Sequence, residues 1–345
     1  MNNTEPVLLN GLHPITRWLY LLVVFTFLAV DSVLATEEYI GLRQILSFDG
    51  IWEIAEGDID DIPDHFAHRV PVPGLVDMAT PSFAEVGKKS ELREAFWYRH
   101  TFRVNGTIPD VALLKIHKAK YSMRVFLNGQ HIGDHLSCFT PAFFNIREHL
   151  KGSGTTNELL ICIGASRDAI PDTVPSGWDK EKTRYIPGIY DSVELILTET
   201  PHIMSVQTVP DITNKMVRVV VRVYNWGETT ETSVKCYVRE KTTTEVVGSA
   251  ESQKFQYKSG DERSVVLQIP IKNCNLWSPE APFLYELETS TTADNLKTQF
   301  GMRTFHFDPV TKMPMLNGKP YYLRGSSVCI FRFFEDPQRA DLPWR

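Results

Sequence analysis

No long amphipathic helical repeat runs through this chain of 345 residues, so a helical bundle is excluded. No CxxC pair occurs among its five cysteines, Cys138, Cys162, Cys236, Cys274 and Cys329. Their wide scatter gives no zinc-ligand spacing, and no metal or organic cofactor is expected. Cys162 in "LLICIG" and Cys236 in "VKCYV" sit in strand-like runs and read as buried free thiols. One disulfide remains open in an oxidising compartment. Positive charge is not in excess. The net charge is −6, so the concentrated basic surface of a nucleic-acid partner is not expected. Nor is there a hydrophobic run long enough to cross a bilayer. "WLYLLVVFTFLAV", Trp18 to Val30, falls short of the ~20 residues required.

That short run has a different reading. Arg17 precedes it, and Val33 and Ala35 supply the small residues of a cleavage site. Residues 1–35 are therefore expected to be a secretory signal peptide, with no membrane span after its removal and an exported, periplasmic or extracellular product. An uncleaved anchor is the alternative. Asn105-Gly106-Thr107 fits a glycosylation sequon, relevant only in a eukaryotic host.

What is present beyond Ala35 is strand and turn. "FWYRHTFRV", "YSMRVFLNG", "ELLICIG" and "SVELILT" are short runs rich in β-branched and aromatic residues, separated by Gly, Pro, Asn and Asp. "VFLNGQHIG", Val125 to Gly133, is a hairpin signal, because Asn128-Gly129 supplies the positive φ angles of a primed turn. Many short strands at this spacing predict a β-sandwich. A boundary is placed near Thr200-Pro201. Met216 to Ile271 then predicts about three or four strands, part of an immunoglobulin-like sandwich of ~100 residues. A third segment begins near Asp308. In "LNGKPYYLRG" the polar turn at Asn317-Gly318 is followed by Tyr321, Tyr322 and Leu323, which read as a strand.

Taken in order, these motifs resemble the amino-terminal half of family 2 glycoside hydrolases, the group of β-galactosidases, β-glucuronidases and β-mannosidases. "FDGIWEI" (Phe48 to Ile54), "VPGLVDM" (Val72 to Met78), "FWYRHTF" (Phe96 to Phe102), "VFLNGQHIGDHLSCFTPAFFNI" and "PGIYDSVEL" (Pro187 to Leu195) are similar to the family's sugar-binding jelly roll. "WSPEAPFLY" (Trp277 to Tyr285) and "FGMRTF" (Phe300 to Phe305) are similar to the end of its immunoglobulin-like domain. The resemblance implies an all-β chain: a jelly roll over 36–200, an immunoglobulin-like sandwich over 201–306, and over 307–345 the first strand of a truncated (β/α)₈ barrel.

The resemblance further implies hydrolysis of O-glycosyl bonds by two glutamates at later barrel strands, with carboxyls ~5–5.5 Å apart in retaining enzymes. No position here corresponds to either, so no catalytic residue is assigned, and the chain alone is expected to be inactive. Its partners are then a carbohydrate substrate and a barrel domain in cis. The loop before "GIY", "VPSGWDKEKTRYIPGIY", extends towards the barrel in the family. Trp178 is the candidate to stack on a sugar face, and Asp179 to accept hydroxyl hydrogen bonds. Arg184 and Tyr185 are weaker candidates; the competing reading is a Trp packed between domains and a solvated Asp. After Gly325 the chain departs from the family's Gly-x-Asn-x-His, with Ser327 and Cys329 in place of Asn and His. Glu335 and Asp336 read as a solvated acidic turn before Pro337, with contact to a sugar hydroxyl as the competing reading. The alternative function is a carbohydrate-binding protein without enzymatic activity.

Overall fold

The computed structural model describes residues 42–177 and 185–325. Two β cores follow one another along the chain. The first is enclosed by a four-stranded and a six-stranded sheet. The four-stranded sheet runs, in spatial order, Gln44–Ser47, Val193–Thr198, Val111–Ile116 and Ala142–Asn145. The six-stranded sheet runs His68–Val72, Gly50–Gly57, Ala95–Arg103, Thr156–Gly164, Met123–Leu127 and Gln130–His135. All pairings within them are antiparallel.

The period-2 geometry of a strand explains which side chains meet. Leu46, Leu195, Leu114 and Phe144 stand opposite one another across the four-stranded sheet and all point into the core. Ile54, Tyr98, Ile161 and Val125 line up across the other sheet and face them. Thr156–Gly164 does not alternate; it is buried on both faces. Leu159, Ile161 and Ile163 enter the main core. Leu160 and Cys162 join a second layer with Trp97, beneath Phe66 and Ile59. The Trp97 indole NH donates to the Asp58 carbonyl at 2.9 Å, pinning that covering segment.

The hairpin expected at Asn128-Gly129 is present, with φ of 53° and 80° at the two turn residues. It joins Met123–Leu127 to Gln130–His135 with a bulge at Val125/Phe126.

The second core is closed by sheets ordered His202–Asp211, Met216–Tyr224, Glu262–Pro270 and Val246–Glu251, Lys235–Glu240, Tyr285–Ser290, Asn295–Phe300. Val217, Val219, Val221 and Val223 alternate inward while Arg218 and Arg222 point out. Between Met216 and Ile271 there are six strands rather than three or four. Thr230–Thr232 and Phe255–Tyr257 are too short to carry a pattern, and Val246–Glu251 buries only Val247.

After the second core, Phe305–Phe307, Pro314–Leu316 and Lys319–Pro320 form a small antiparallel sheet of their own. The Asn317-Gly318 turn is there, with φ of 50° and 75°. The strand expected at Tyr321 to Leu323 is not: these residues carry no ladder beyond one bond from Tyr321 NH to the Pro314 carbonyl. A strand's backbone groups need a ladder partner, and among the described residues no strand pairs with Tyr321 to Leu323. No barrel forms among the described residues, and the remainder of the segment expected to open one lies outside them.

Candidate functional site

Trp178 and Asp179 lie outside the described residues, as do Arg184, Glu335 and Asp336. The two limbs that hold their loop are described, and both are rooted in the first core. On the incoming limb, Val174 NH bonds the Pro171 carbonyl at 2.9 Å. On the returning limb, Tyr185 NH donates to the Gly87 carbonyl at 2.8 Å, and the Pro187 and Ile189 carbonyls accept from Val76 and Gly74. Gly188–Ile189 pairs antiparallel with Ala119–Lys120. Gly188 permits this close approach: a Cβ there would stand 2.5 Å from the Gly74 carbonyl oxygen and 2.7 Å from the Leu75 Cα.

Between the limbs sits a small cluster of Tyr121, Cys138 and Ile170, with Val174 and Tyr185 against it. The Tyr190 hydroxyl donates to the Cys138 carbonyl. Burial raises the Tyr121 hydroxyl and the Cys138 thiol above their usual ranges and pushes Tyr190 up to about 12, so all three stay neutral. The Lys120 ammonium stands 5.0 Å from the Tyr121 ring centre and 5.5 Å from that of Tyr185, within cation–π range. Of the candidates singled out in the loop, Tyr185 is thus a packing and anchoring residue.

Beside the returning limb, a cleft of about 460 Å³ is lined by Asp77, Ser82, Phe83, Glu85, Val86 and Lys88, with Ile186 from the limb itself. Phe83 forms an apolar wall and stacks on His68 at 3.9 Å. The Glu85 carboxylate accepts from Ser90 at 2.7 Å. An apolar wall with two carboxylates and one ammonium is able to hold a polyhydroxylated ligand. "VPGLVDM" contains Asp77, yet nothing in its pattern marks a cleft; the cleft arises where two loops distant in sequence meet.

The better-buried carboxylates of the first core face cations rather than each other. Glu56 binds Arg93, Glu53 binds Arg99 at 2.7 Å, and Asp191 binds Lys118 at 2.7 Å. Glu194 binds both Lys115 at 2.8 Å and His117 at 3.1 Å. Desolvation works against Asp191 and Glu194, but their cationic partners outweigh it and hold both below the usual carboxylate range. These are structural ion pairs. Cys138, Cys162, Cys236 and Cys274 are free thiols, and the first three are buried.

The model of glycosyl hydrolases family 2 matches residues 201–303, the span of the second core. A β-galactosidase of Thermoanaerobacter pseudethanolicus is 27% identical over 247 residues, covering 69% of this chain and 32% of its own length. A β-glucuronidase of Mus musculus is 25% identical over 327 residues, covering 82% of this chain and 48% of its own. Among solved structures, a β-glucuronidase of Bacteroides uniformis aligns with a TM-score of 0.64 at 22% identity, over 82% of this chain and 35% of that one. A β-glucuronidase of Ruminococcus gnavus aligns at 0.60 and 19% identity, over 84% and 50%. These structural likenesses show that the all-β fold is shared.

These comparisons make the chain similar to family 2 glycosyl hydrolases, most directly over residues 201–303, in agreement with the resemblance read from the sequence motifs. It is shared with enzymes named as β-galactosidases and β-glucuronidases. The chain spans between about a third and a half of the length of the two relatives described.

Proposed function

We propose that these residues are the non-catalytic front portion of an exported glycoside hydrolase acting on O-glycosyl bonds, of β-galactosidase or β-glucuronidase type. In this reading the first core, residues 36–200, is a jelly roll and the second, 201–306, an immunoglobulin-like sandwich. Together they buttress a catalytic barrel and contribute one wall of its sugar pocket through the loop carrying Trp178 and Asp179.

The observation that carries the reading is the match to named glycosidases along most of the chain. It stands beside a set of carboxylates committed to cations rather than poised as a pair. Retaining hydrolysis needs one carboxyl to protonate the leaving oxygen and another to attack the anomeric carbon. Those two groups are assigned to the barrel, and residues 1–35 to an export signal.

A panel of aryl β-galactosides, β-glucuronides and β-mannosides tests it. Residues 36–345 alone are expected to release no aryl alcohol. Turnover by that protein above the buffer rate would overturn the division of labour between these residues and the barrel.

A further inference from the structure

Where the two cores meet, an aromatic residue is presented to solvent by a turn that is itself fixed from within. Asn225 is fully buried at the end of strand Met216–Tyr224. Its side-chain NH₂ donates to the Glu228 carbonyl at 2.8 Å and the Tyr257 carbonyl at 3.2 Å. Its side-chain oxygen accepts from the Thr200 hydroxyl at 2.8 Å and from Gly227 NH at 3.3 Å. The Thr200 hydroxyl in turn accepts from Trp226 NH at 2.9 Å. Trp226 is thus held at both flanks, yet its side chain is 41% exposed. A Trp used only as core filler would be covered.

The ring is backed rather than loose. Its centre lies 4.6 Å from Tyr224 and 6.3 Å from His202, stacked on the latter at 27°. Burial lowers His202 to about 4, so the imidazole is neutral at pH 7 and adds no positive charge behind the indole. Beside the turn, the first core contributes carboxylates. A Cβ on Gly227 would stand 3.4 Å from an Asp110 carboxylate oxygen, so this acid borders the turn directly. Asp110 is exposed, and its NH donates to Glu199 at 3.2 Å, which brings a second carboxylate alongside.

We propose that Trp226, with Asp110 and Glu199, forms a surface platform for neutral oligosaccharides at the junction of the two cores. It is separate from the loop of Trp178 and independent of any hydrolysis. The chemistry is that of sugar recognition: the apolar C–H face of a pyranose packs on the indole, and carboxylate oxygens accept hydrogen bonds from its hydroxyls. Two carboxylates bordering the turn that carries the ring repel an anionic sugar, so uronates are selected against.

Calorimetric titration of residues 36–345 tests this, with cellotetraose and lactose as neutral probes and sodium glucuronate as the charged one. Saturable binding of at least one neutral probe is expected, and none of glucuronate. Trp226→Ala is expected to weaken binding by about tenfold or more, as truncating an aromatic anchor does. Trp226→Phe keeps an aromatic face and should retain most of the affinity. Asp110→Ala, an exposed change that leaves the turn's hydrogen bonds in place, should weaken binding without altering thermal stability. No saturable binding of either neutral probe, glucuronate binding as tight as theirs, or unchanged affinity in Asp110→Ala and Trp226→Ala would each overturn the proposal.

Discussion

Arg43 and Asp294, 251 residues apart in sequence, form a two-point ion pair that ties the start of the first core to the second. Arg43 Nε donates to one carboxylate oxygen at 2.9 Å and Nη2 to the other at 2.6 Å. Nη2 also bonds the Ile203 carbonyl at 2.5 Å, while Ile203 NH donates to Asp294 at 2.6 Å. The Asp294 side chain is completely buried and that of Arg43 is 9% exposed. Removing one partner strands the other charge in a dry site, which costs ~3–5 kcal/mol. Asp294→Ala is expected to lower stability by about that amount in urea denaturation. The double change Arg43→Met with Asp294→Leu, which removes both charges, should lose less than the single one. Equal stability of Asp294→Ala and the native protein would contradict the assigned role.

Two imidazoles set an acid limit on stability. Burial lowers both His100 and His202 to about 4. His100 lies against Trp52 at 4.7 Å and Phe48 at 5.0 Å, and His202 is buried beside Tyr224. In the unfolded chain each has a pKa of about 6.5. As the pH falls from about 6.5 to about 4, the unfolded state takes up protons that the native state refuses. Stability therefore declines through that window, by up to ~3 kcal/mol for each group. Urea midpoints taken between pH 7 and pH 4 should show the decline. His202→Asn should flatten its slope if the assignment is right.

Much of this architecture is legible in the sequence because strand signals are local. The Asn128-Gly129 turn and the alternating valines of Met216–Tyr224 state their geometry within a few residues. Thr230–Thr232 and Phe255–Tyr257 escape such reading, since three residues carry no period. Tyr321 to Leu323 has strand composition but no ladder partner among the described residues, and pairing is a property of the fold. The same reason hides the cleft of Asp77 and Glu85, and the meeting of Trp226 with Asp110. Each depends on contacts between distant segments, so no spacing in the chain announces it. The anchors of the loop of Trp178, by contrast, are foreshadowed by Gly188 in "PGIYDSVEL".

Gly188 makes the loop's returning limb sensitive to a single methyl group. Its Cβ site lies inside contact distance of the backbone at Gly74 and Leu75. Backbone cannot step aside as a side-chain tip does, so Gly188→Ala must part Gly188–Ile189 from Ala119–Lys120 or displace residues 74 and 75. The expected loss is ~1–3 kcal/mol, read as a lowered denaturation midpoint. Ala substitution at Gly152, where nothing lies within 4 Å, is the control and should be near neutral.

Thiol chemistry should separate the cysteines by burial. Desolvation raises all four described thiols and pushes Cys162 up to about 12. The thiolate is the reactive form, so labelling of the native protein at pH 7.5 should be slow. Cys274, only half-buried, is expected to label before Cys138, Cys162 and Cys236. Peptide mass mapping after timed exposure to iodoacetamide gives the order. Rapid labelling of Cys162 in the native state would refute its placement beneath Phe66 and Ile59.

The small sheet after the second core leaves apolar side chains facing water. Val310 is 86% exposed, Tyr322 80% and Phe307 60%. The turn bearing Val310 is well made, with Asp308 accepting from the Val310 and Thr311 backbone NH groups at 3.0 and 2.6 Å. These side chains therefore contribute little to the stability of the fold around them but add to an apolar patch on its surface. Replacing them with polar residues should change association without changing stability. Val310→Asn with Phe307→Lys is expected to leave the urea midpoint within the ~0.5 kcal/mol typical of surface changes. The same protein should bind less anilinonaphthalene sulfonate and sediment with less self-association. Should the double variant instead unfold at markedly lower urea, those side chains would have to be packed in solution, and the exposed patch would not exist.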